Sequence, residues 1–110
     1  MSRDERERLD DILEALEAIR GHVGGSLEAP SIDGSVVLDA VLFRLIVIGE
    51  AAKNVGAALR EAAPDIRWSD YAGLRDIIAH QYFRIQKQII EETVQRDLPV
   101  LLRAVEGLLA

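Results

Sequence analysis

A chain of 110 residues, 49% hydrophobic and 5% aromatic, makes a single domain with an aliphatic core. It has no cysteine, which excludes disulfides and thiolate zinc sites. A net charge of −6 counts against a broad basic surface for nucleic acid, because such affinity rests on phosphate neutralisation; an acidic body equally suits a basic protein partner.

The first residues, Met1 to Arg8, are charged and lack an apolar stretch, so they do not read as a signal peptide. Helix one is expected over Arg3 to His22. Leu9, Ile12, Leu16, Ile19 and Val23 recur at three- and four-residue steps and form one apolar stripe. Gly21, Gly24 and Gly25 stop it, and His22 suits the negative end of the helix dipole. Gly24 to Gly34 reads as a loop with turn signals at Ala29-Pro30-Ser31 and Asp33-Gly34. Ser31 or Asp33 is positioned to cap the next helix.

Helix two is expected over Ser31 to Ala62. Leu38, Val41, Leu42, Leu45, Ile48, Ala52, Val55 and Leu59 form a wide stripe, and Val37, Phe43, Ile46 and Val47 add apolar surface on other faces. A helix apolar nearly all round is central, or is covered by a second subunit. Its most apolar tract, Val41 to Ala52, contains Arg44 and Glu50 and is too short to span a bilayer. Glu50, alone among small and apolar neighbours, needs a partner if it is buried. Arg75 and His80 are the first candidates and bases such as Arg84 offer others; an exposed carboxylate at a gap in the stripe is the alternative.

Pro64 closes helix two. Helix three is expected from a Ser69 cap, with Trp68 as a packing anchor, through Tyr71, Leu74, Ile77 and Ile78 to about Tyr82. Helix four starts near Arg84 and carries Ile85, Ile89, Ile90 and Val94. Asp97 and Pro99 then open a short last helix with Leu98, Leu101, Leu102 and Val105 on its apolar face; a kinked continuous helix is the alternative. The fold class is therefore all-α: one domain over residues 1–110, an up-down bundle of four long helices plus a short C-terminal helix.

Chemistry concentrates in Leu74-Arg75-Asp76-Ile77-Ile78-Ala79-His80-Gln81-Tyr82-Phe83. Asp76 and His80 are four apart, so they share a helix face and can touch, which would fix the imidazole. Arg75 and His80 are five apart, about 140° around the axis, so a straight helix does not aim both at one small target. Either the helix ends near His80 and the chain turns, or a second copy completes the site across a two-fold axis. Arg supplies a fork of donors matched to phosphate, and His moves a proton near neutral pH. In RNA the nucleophile is the substrate's own 2′-hydroxyl, so this pair suffices for a minimal ribonuclease without a metal. Other basic residues nearby are Arg67, Arg84, Lys87 and Arg96, but Asp65, Asp70, Asp76, Glu91 and Glu92 are interleaved with them.

Arg75, His80 and Tyr82 match the R-x4-H-x-Y motif of the HEPN superfamily. More narrowly, the chain resembles the HepT toxins of the HepT–MntA toxin–antitoxin pair. Val47-Ile48-Gly49-Glu50-Ala51-Ala52-Lys53 resembles that family's I-G-E-A segment, Pro64-Asp65-Ile66-Arg67-Trp68 its P-x-I-x-W lead-in, and Asp97-Leu98-Pro99 with the following leucines its tail. The resemblance spans nearly the whole chain. It implies an endoribonuclease with Arg75 and His80 as catalytic residues and no cofactor; the residues themselves add Asp76, placed by spacing to orient His80 although the family motif does not demand it, and Glu50, which would order the site through its partner. The resemblance implies that Tyr82 is the tyrosine adenylylated by an MntA-like nucleotidyltransferase antitoxin, with ATP consumed by that partner. A homodimer in the cytoplasm is expected, with no membrane association. The competing expectation is a non-catalytic helical adaptor that binds a nucleotidyltransferase.

Overall fold

A computed structural model describes residues 1–110 and contains helices joined by turns, with no strand. The helices are α1 (Arg3–His22), α2 (Gly34–Lys53), α3 (Ala57–Ala62), α4 (Trp68–His80), α5 (Lys87–Arg96) and α6 (Leu98–Leu109), with a 3-10 turn at Tyr82–Arg84. The all-α bundle expected from the apolar periodicity is borne out. Its short piece is α3, whereas the C-terminal helix runs for 12 residues.

Helix α1 begins at a capping box. Ser2 Oγ accepts from the Glu5 N–H at 3.1 Å, and the Glu5 carboxylate accepts from the Ser2 N–H at 2.9 Å. Its stripe of Leu9, Ile12, Leu16 and Ile19 is fully buried. Each such side chain contributes about 1.5–3 kcal/mol relative to exposure. They pack on Val41, Leu45, Ile48 and Ala52 of α2 and on Leu98, Leu101 and Val105 of α6, within one continuous core.

The expected helix two is divided. It starts later because Gly34 has φ +82°, and Asp33 takes the cap position without a side-chain cap bond. Its carboxylate accepts instead from Ser31 Oγ at 2.9 Å. It stops at Lys53 because the released carbonyls find other donors. Asn54 Nδ2 donates to the Glu50 carbonyl at 2.9 Å. Arg60 reaches back from α3 to the carbonyls of Val55 at 2.9 Å and Ala52 at 3.3 Å. A guanidinium there also complements the negative end of α2. Val55 is thereby turned into the core.

Helix α4 starts one residue before the expected cap. Ser69 lies inside its first turn, no side chain caps it, and Arg67 in the cap position pairs with Asp70 at 3.0 Å. Trp68 is buried, as an anchor should be. Helices α5 and α6 are separated only by Asp97, which has helical φ/ψ, so the pair is close to the kinked continuous helix. Asp97 does not cap by its side chain; Pro99 sits in the first turn of α6, where its missing N–H costs nothing.

Helix α2 is central. It packs on α1 on one side and on α4 on the other, and α2–α4 is the most extensive helix pair. That closeness depends on Gly49. A Cβ at this position would lie 2.3 Å from Arg75 Cβ and 2.6 Å from the Tyr71 carbonyl oxygen. Gly107, within α6, has nothing within 4 Å of such a Cβ. Gly49→Ala is therefore expected to destabilise by at least about 1–3 kcal/mol, the usual cost of overpacking. Gly107→Ala is expected to stabilise by about 0.5–1 kcal/mol through helix propensity. Thermal unfolding of the two variants should show Tm moving in opposite directions.

Tyr71 is 9% exposed, and its hydroxyl makes a long contact of 3.5 Å with the Asp97 carbonyl. Burial, then the charges of Asp97 and Asp70, push its pKa well above the ordinary 10.0. A raised folded-state value means that the neutral phenol favours the fold. This stability is fully present below pH 10.0 and is lost as pH rises towards the folded-state value. Chemical denaturation at stepped alkaline pH should show a fall in stability that Tyr71→Phe makes shallower.

Candidate functional site

The motif residues occupy the last two turns of α4 and the turn after it. Arg75 faces α2 and is held there by Glu50: Nε lies 2.6 Å from Glu50 Oε1, across the crossing that Gly49 permits. The contact is electrostatic. Nε is buried, and the angle to Glu50 does not make a hydrogen bond. On its other side Arg75 Nη1 donates to Asp76 Oδ1 at 3.1 Å. Of the two partners expected for Glu50, the structure selects Arg75. The Arg75 side chain is 31% exposed and its two carboxylates are 48% and 64% exposed, so solvent screens both pairs and each is worth little as stability. What they provide is aim. The guanidinium is pinned at Nε and Nη1, and Nη2 makes no hydrogen bond within the chain.

His80 is the last residue of α4 and is exposed. Asp76 shares its face by spacing, yet the Asp76 carboxylate is hydrogen-bonded to Arg75 and makes no hydrogen bond to His80. The expected Asp76–His80 contact is therefore not formed. The adjacent guanidinium is a permanent charge, and it competes successfully for the same carboxylate.

The turn does not resolve the 140° separation, because His80 is itself still helical and the chain turns only after it. The helix ends at His80, Gln81 takes φ −130° and ψ 32°, and the chain enters the 3-10 turn. Within one chain no hydrogen bond joins Arg75 and His80, and five helical residues separate them by about 7.5 Å along the axis.

Tyr82 lies in that turn, 45% exposed, with its ring edge-to-face against Phe83 at 5.7 Å between centroids. Its hydroxyl donates to Asp39 Oδ1 near the start of α2. That hydrogen bond, helped by desolvation and the Asp39 charge, raises the Tyr82 pKa above the ordinary tyrosine value. Glu50 and Asp39 thus hold Arg75 and Tyr82 from one helix. They are eleven residues apart, about 20° around the axis over three turns, so they share one face of α2. Sequence reasoning missed Asp39. The three-turn spacing from Glu50 was the available signal, but it becomes informative only once α4 is known to lie along that face.

Two of the four other basic residues near the motif are paired. Arg67 pairs with Asp70 at 3.0 Å, and Lys87 lies 3.7 Å from Glu91. Arg84 and Arg96 make no ion pair. Arg84, Gln81 and Gln86 line a small recess of about 160 Å³ with Ile77, Ile85 and Ile89 beside the motif turn. A larger cleft of about 520 Å³, bounded by Asp65, Arg67, Asp70, Tyr71, Thr93 and Asp97, includes none of Arg75, His80 or Tyr82.

Residues 12–108 match the protein family described as Ribonuclease HepT-like. A protein of Caldanaerobacter subterraneus subsp. tengcongensis named "Putative RNase" is 33% identical over 104 residues, covering 94% of this chain and 93% of the relative. One of Thermococcus cleftensis named "Probable ribonuclease HepT" is 32% identical over 101 residues, covering 92% of each. A Methanocaldococcus jannaschii protein named "Gamma-glutamylcyclotransferase and putative RNase" is 34% identical over 101 residues. In that alignment the match covers 92% of this chain but 46% of the relative, so the chain spans about half of that longer protein. No solved structure matches. With the match running from α1 to the end of α6 and the Arg75–His80–Tyr82 motif intact within it, the chain belongs to the HepT-like ribonuclease family.

Proposed function

We propose that this protein is a metal-independent endoribonuclease toxin that uses Arg75 and His80. The observation that carries the reading is the pinned guanidinium of Arg75 on the same helix as an exposed terminal His80. His80 takes the 2′-hydroxyl proton or protonates the leaving oxygen. Arg75 binds the scissile phosphate and stabilises the charge that develops on it. Attack by the 2′-oxygen leaves a 2′,3′-cyclic phosphate and a free 5′-hydroxyl, so no external nucleophile is needed. Glu50 holds Arg75. Asp76 contributes by orienting Arg75, the contact it makes, in place of the His80 contact expected from spacing.

Because Arg75 and His80 diverge within one chain, a two-fold dimer that brings Arg75 of one protomer beside His80 of the other completes the site. An exposed apolar surface on several elements supports association: Phe43 on α2, Ile77 on α4, Phe83 in the turn and Ile89 on α5. Regulation acts at Tyr82. Its oxygen bonds to the α-phosphorus of ATP held by an MntA-like nucleotidyltransferase antitoxin, pyrophosphate leaves, and the phenol proton is released. The AMP group adds negative charge and bulk where an RNA phosphate would bind. No helix is long and apolar enough to cross a membrane, and RNA as substrate suits a cytoplasmic site of action.

The adaptor reading keeps one specific support. Two carboxylates already neutralise Arg75 in a chain of net charge −6, a surface better matched to a basic protein than to RNA. The deciding measurement is cleavage of total and transfer RNA in EDTA by the purified chain carrying unmodified Tyr82. Wild type is expected to cut, with Arg75→Ala and His80→Ala each reduced by about 10²–10⁴-fold. Intact RNA with the wild type would remove the catalytic claim and leave the adaptor. Sedimentation at micromolar concentration is expected to give a dimer, and a monomer there would sink the shared site.

A further inference from the structure

The turn that carries Tyr82 is poorly anchored by packing. None of Tyr82, Phe83 or Arg84 is buried, and Phe83 is 98% exposed. What packing it has is mainly on α4, the helix it continues from. Its backbone bonds are local, from Arg84 N–H to the Gln81 carbonyl at 2.8 Å and from Ile85 N–H to the Tyr82 carbonyl at 3.3 Å. The only side-chain hydrogen bond that ties the turn to a distant part of the chain runs from the Tyr82 hydroxyl to Asp39 on α2. One residue, Gln81, separates Tyr82 from His80. Whatever holds Tyr82 therefore also restrains the end of α4 where His80 sits.

We propose that Asp39 is a positioning residue of the ribonuclease site, anchoring the Tyr82 turn to α2, and that any group attached to the Tyr82 oxygen disables the site by removing this anchor. The proposal rests on the ribonuclease reading above and adds how the site is held and released. Asp39 acts through Tyr82 and touches no reacting atom. An O-substituted tyrosine has no hydroxyl hydrogen to donate, so the bond is lost. If the substituent is a nucleotidyl phosphate, its anionic oxygens face the Asp39 carboxylate, and like charges drive the turn from α2. Silencing then has a mechanical component in addition to blockage by charge and bulk. Arg75 is held separately by Glu50, so loss of the anchor disturbs the proton-transfer group more than the phosphate-binding one.

The test compares Asp39→Ala, Asp39→Asn, Tyr82→Phe and the Asp39→Ala/Tyr82→Phe double variant by hydrogen exchange and RNA cleavage. Both side chains are exposed, so the fold should survive, and exchange in α1 and α6 checks this in the same experiment. Loss of one charge-assisted hydrogen bond is expected to speed exchange of the bonded amides within residues 81–86, those of Gln81, Arg84 and Ile85, by about tenfold in Asp39→Ala and in Tyr82→Phe. The double variant should be no worse than either single one. Asp39→Asn keeps an acceptor oxygen and should restore protection. Cleavage in Asp39→Ala should lose kcat with KM little changed, because Arg75 still binds phosphate. NMR titration of the tyrosine ring carbons should show the Tyr82 pKa fall towards its ordinary value in Asp39→Ala. Unchanged exchange at 81–86 in Asp39→Ala, additive effects in the double variant, or Asp39→Asn behaving like Asp39→Ala would each overturn the anchor. If wild type cuts no RNA, the ribonuclease reading fails, and the exchange and double-variant results still decide the anchor.

Discussion

The close approach of α2 and α4 at Gly49 is the constraint on which the rest of the site depends. Helix surfaces normally keep their axes about 8–10 Å apart because side chains stand between them. Here the contact position on α2 has no side chain, and the Cβ of Arg75 occupies the space. The next residue, Glu50, is thereby brought within 2.6 Å of Arg75 Nε. On the other helix Tyr71, one turn before Arg75, lends its carbonyl to the same crossing and buries its ring. Backbone proximity, ion pair and aromatic packing are consequences of one geometry, so a change at residue 49 is felt at the guanidinium without touching it.

The charge arrangement derives from that geometry. Glu50 and Asp76 leave Arg75 aimed but compensated. An uncompensated arginine on an acidic protein would attract any phosphate, while a compensated one rewards only a ligand that can also reach its remaining donors. Such a site draws little on long-range steering and more on local fit. The same economy recurs at Tyr82, whose hydroxyl is engaged by Asp39 from the same face of α2. One helix face thus holds two motif side chains through two carboxylates, while His80 at the helix terminus is left to solvent.

Several local expectations failed for a shared physical reason. Helix two read as continuous to Ala62 because its apolar spacing continues through Val55 and Leu59. At the break Asn54 satisfies the Glu50 carbonyl, and Arg60, folded back from α3, satisfies those of Ala52 and Val55. Ser69 is a suitable cap by type, but with Trp68 buried the helix starts two residues earlier and Arg67 takes the cap position. Asp76 lay on the correct face for His80 by spacing, yet it is hydrogen-bonded to its neighbour Arg75. Spacing establishes which groups can meet; competition among donors decides which do.

The helical class, the buried stripe of α1, the place of Pro99 at the start of α6 and the family that the Arg75–His80–Tyr82 motif signals are all legible in the order of residues. These rest on three- and four-residue periodicity, on proline and on a contiguous motif, all of which act over a few residues of chain. Packing of the folded chain is what pairs Glu50 with Arg75 rather than His80, through the Gly49 crossing, and Asp39 with Tyr82. Those contacts join residues 25 and 43 positions apart in the chain. They depend on the register of two helices packed side by side, which is set by the shape of the whole core and by no local pattern.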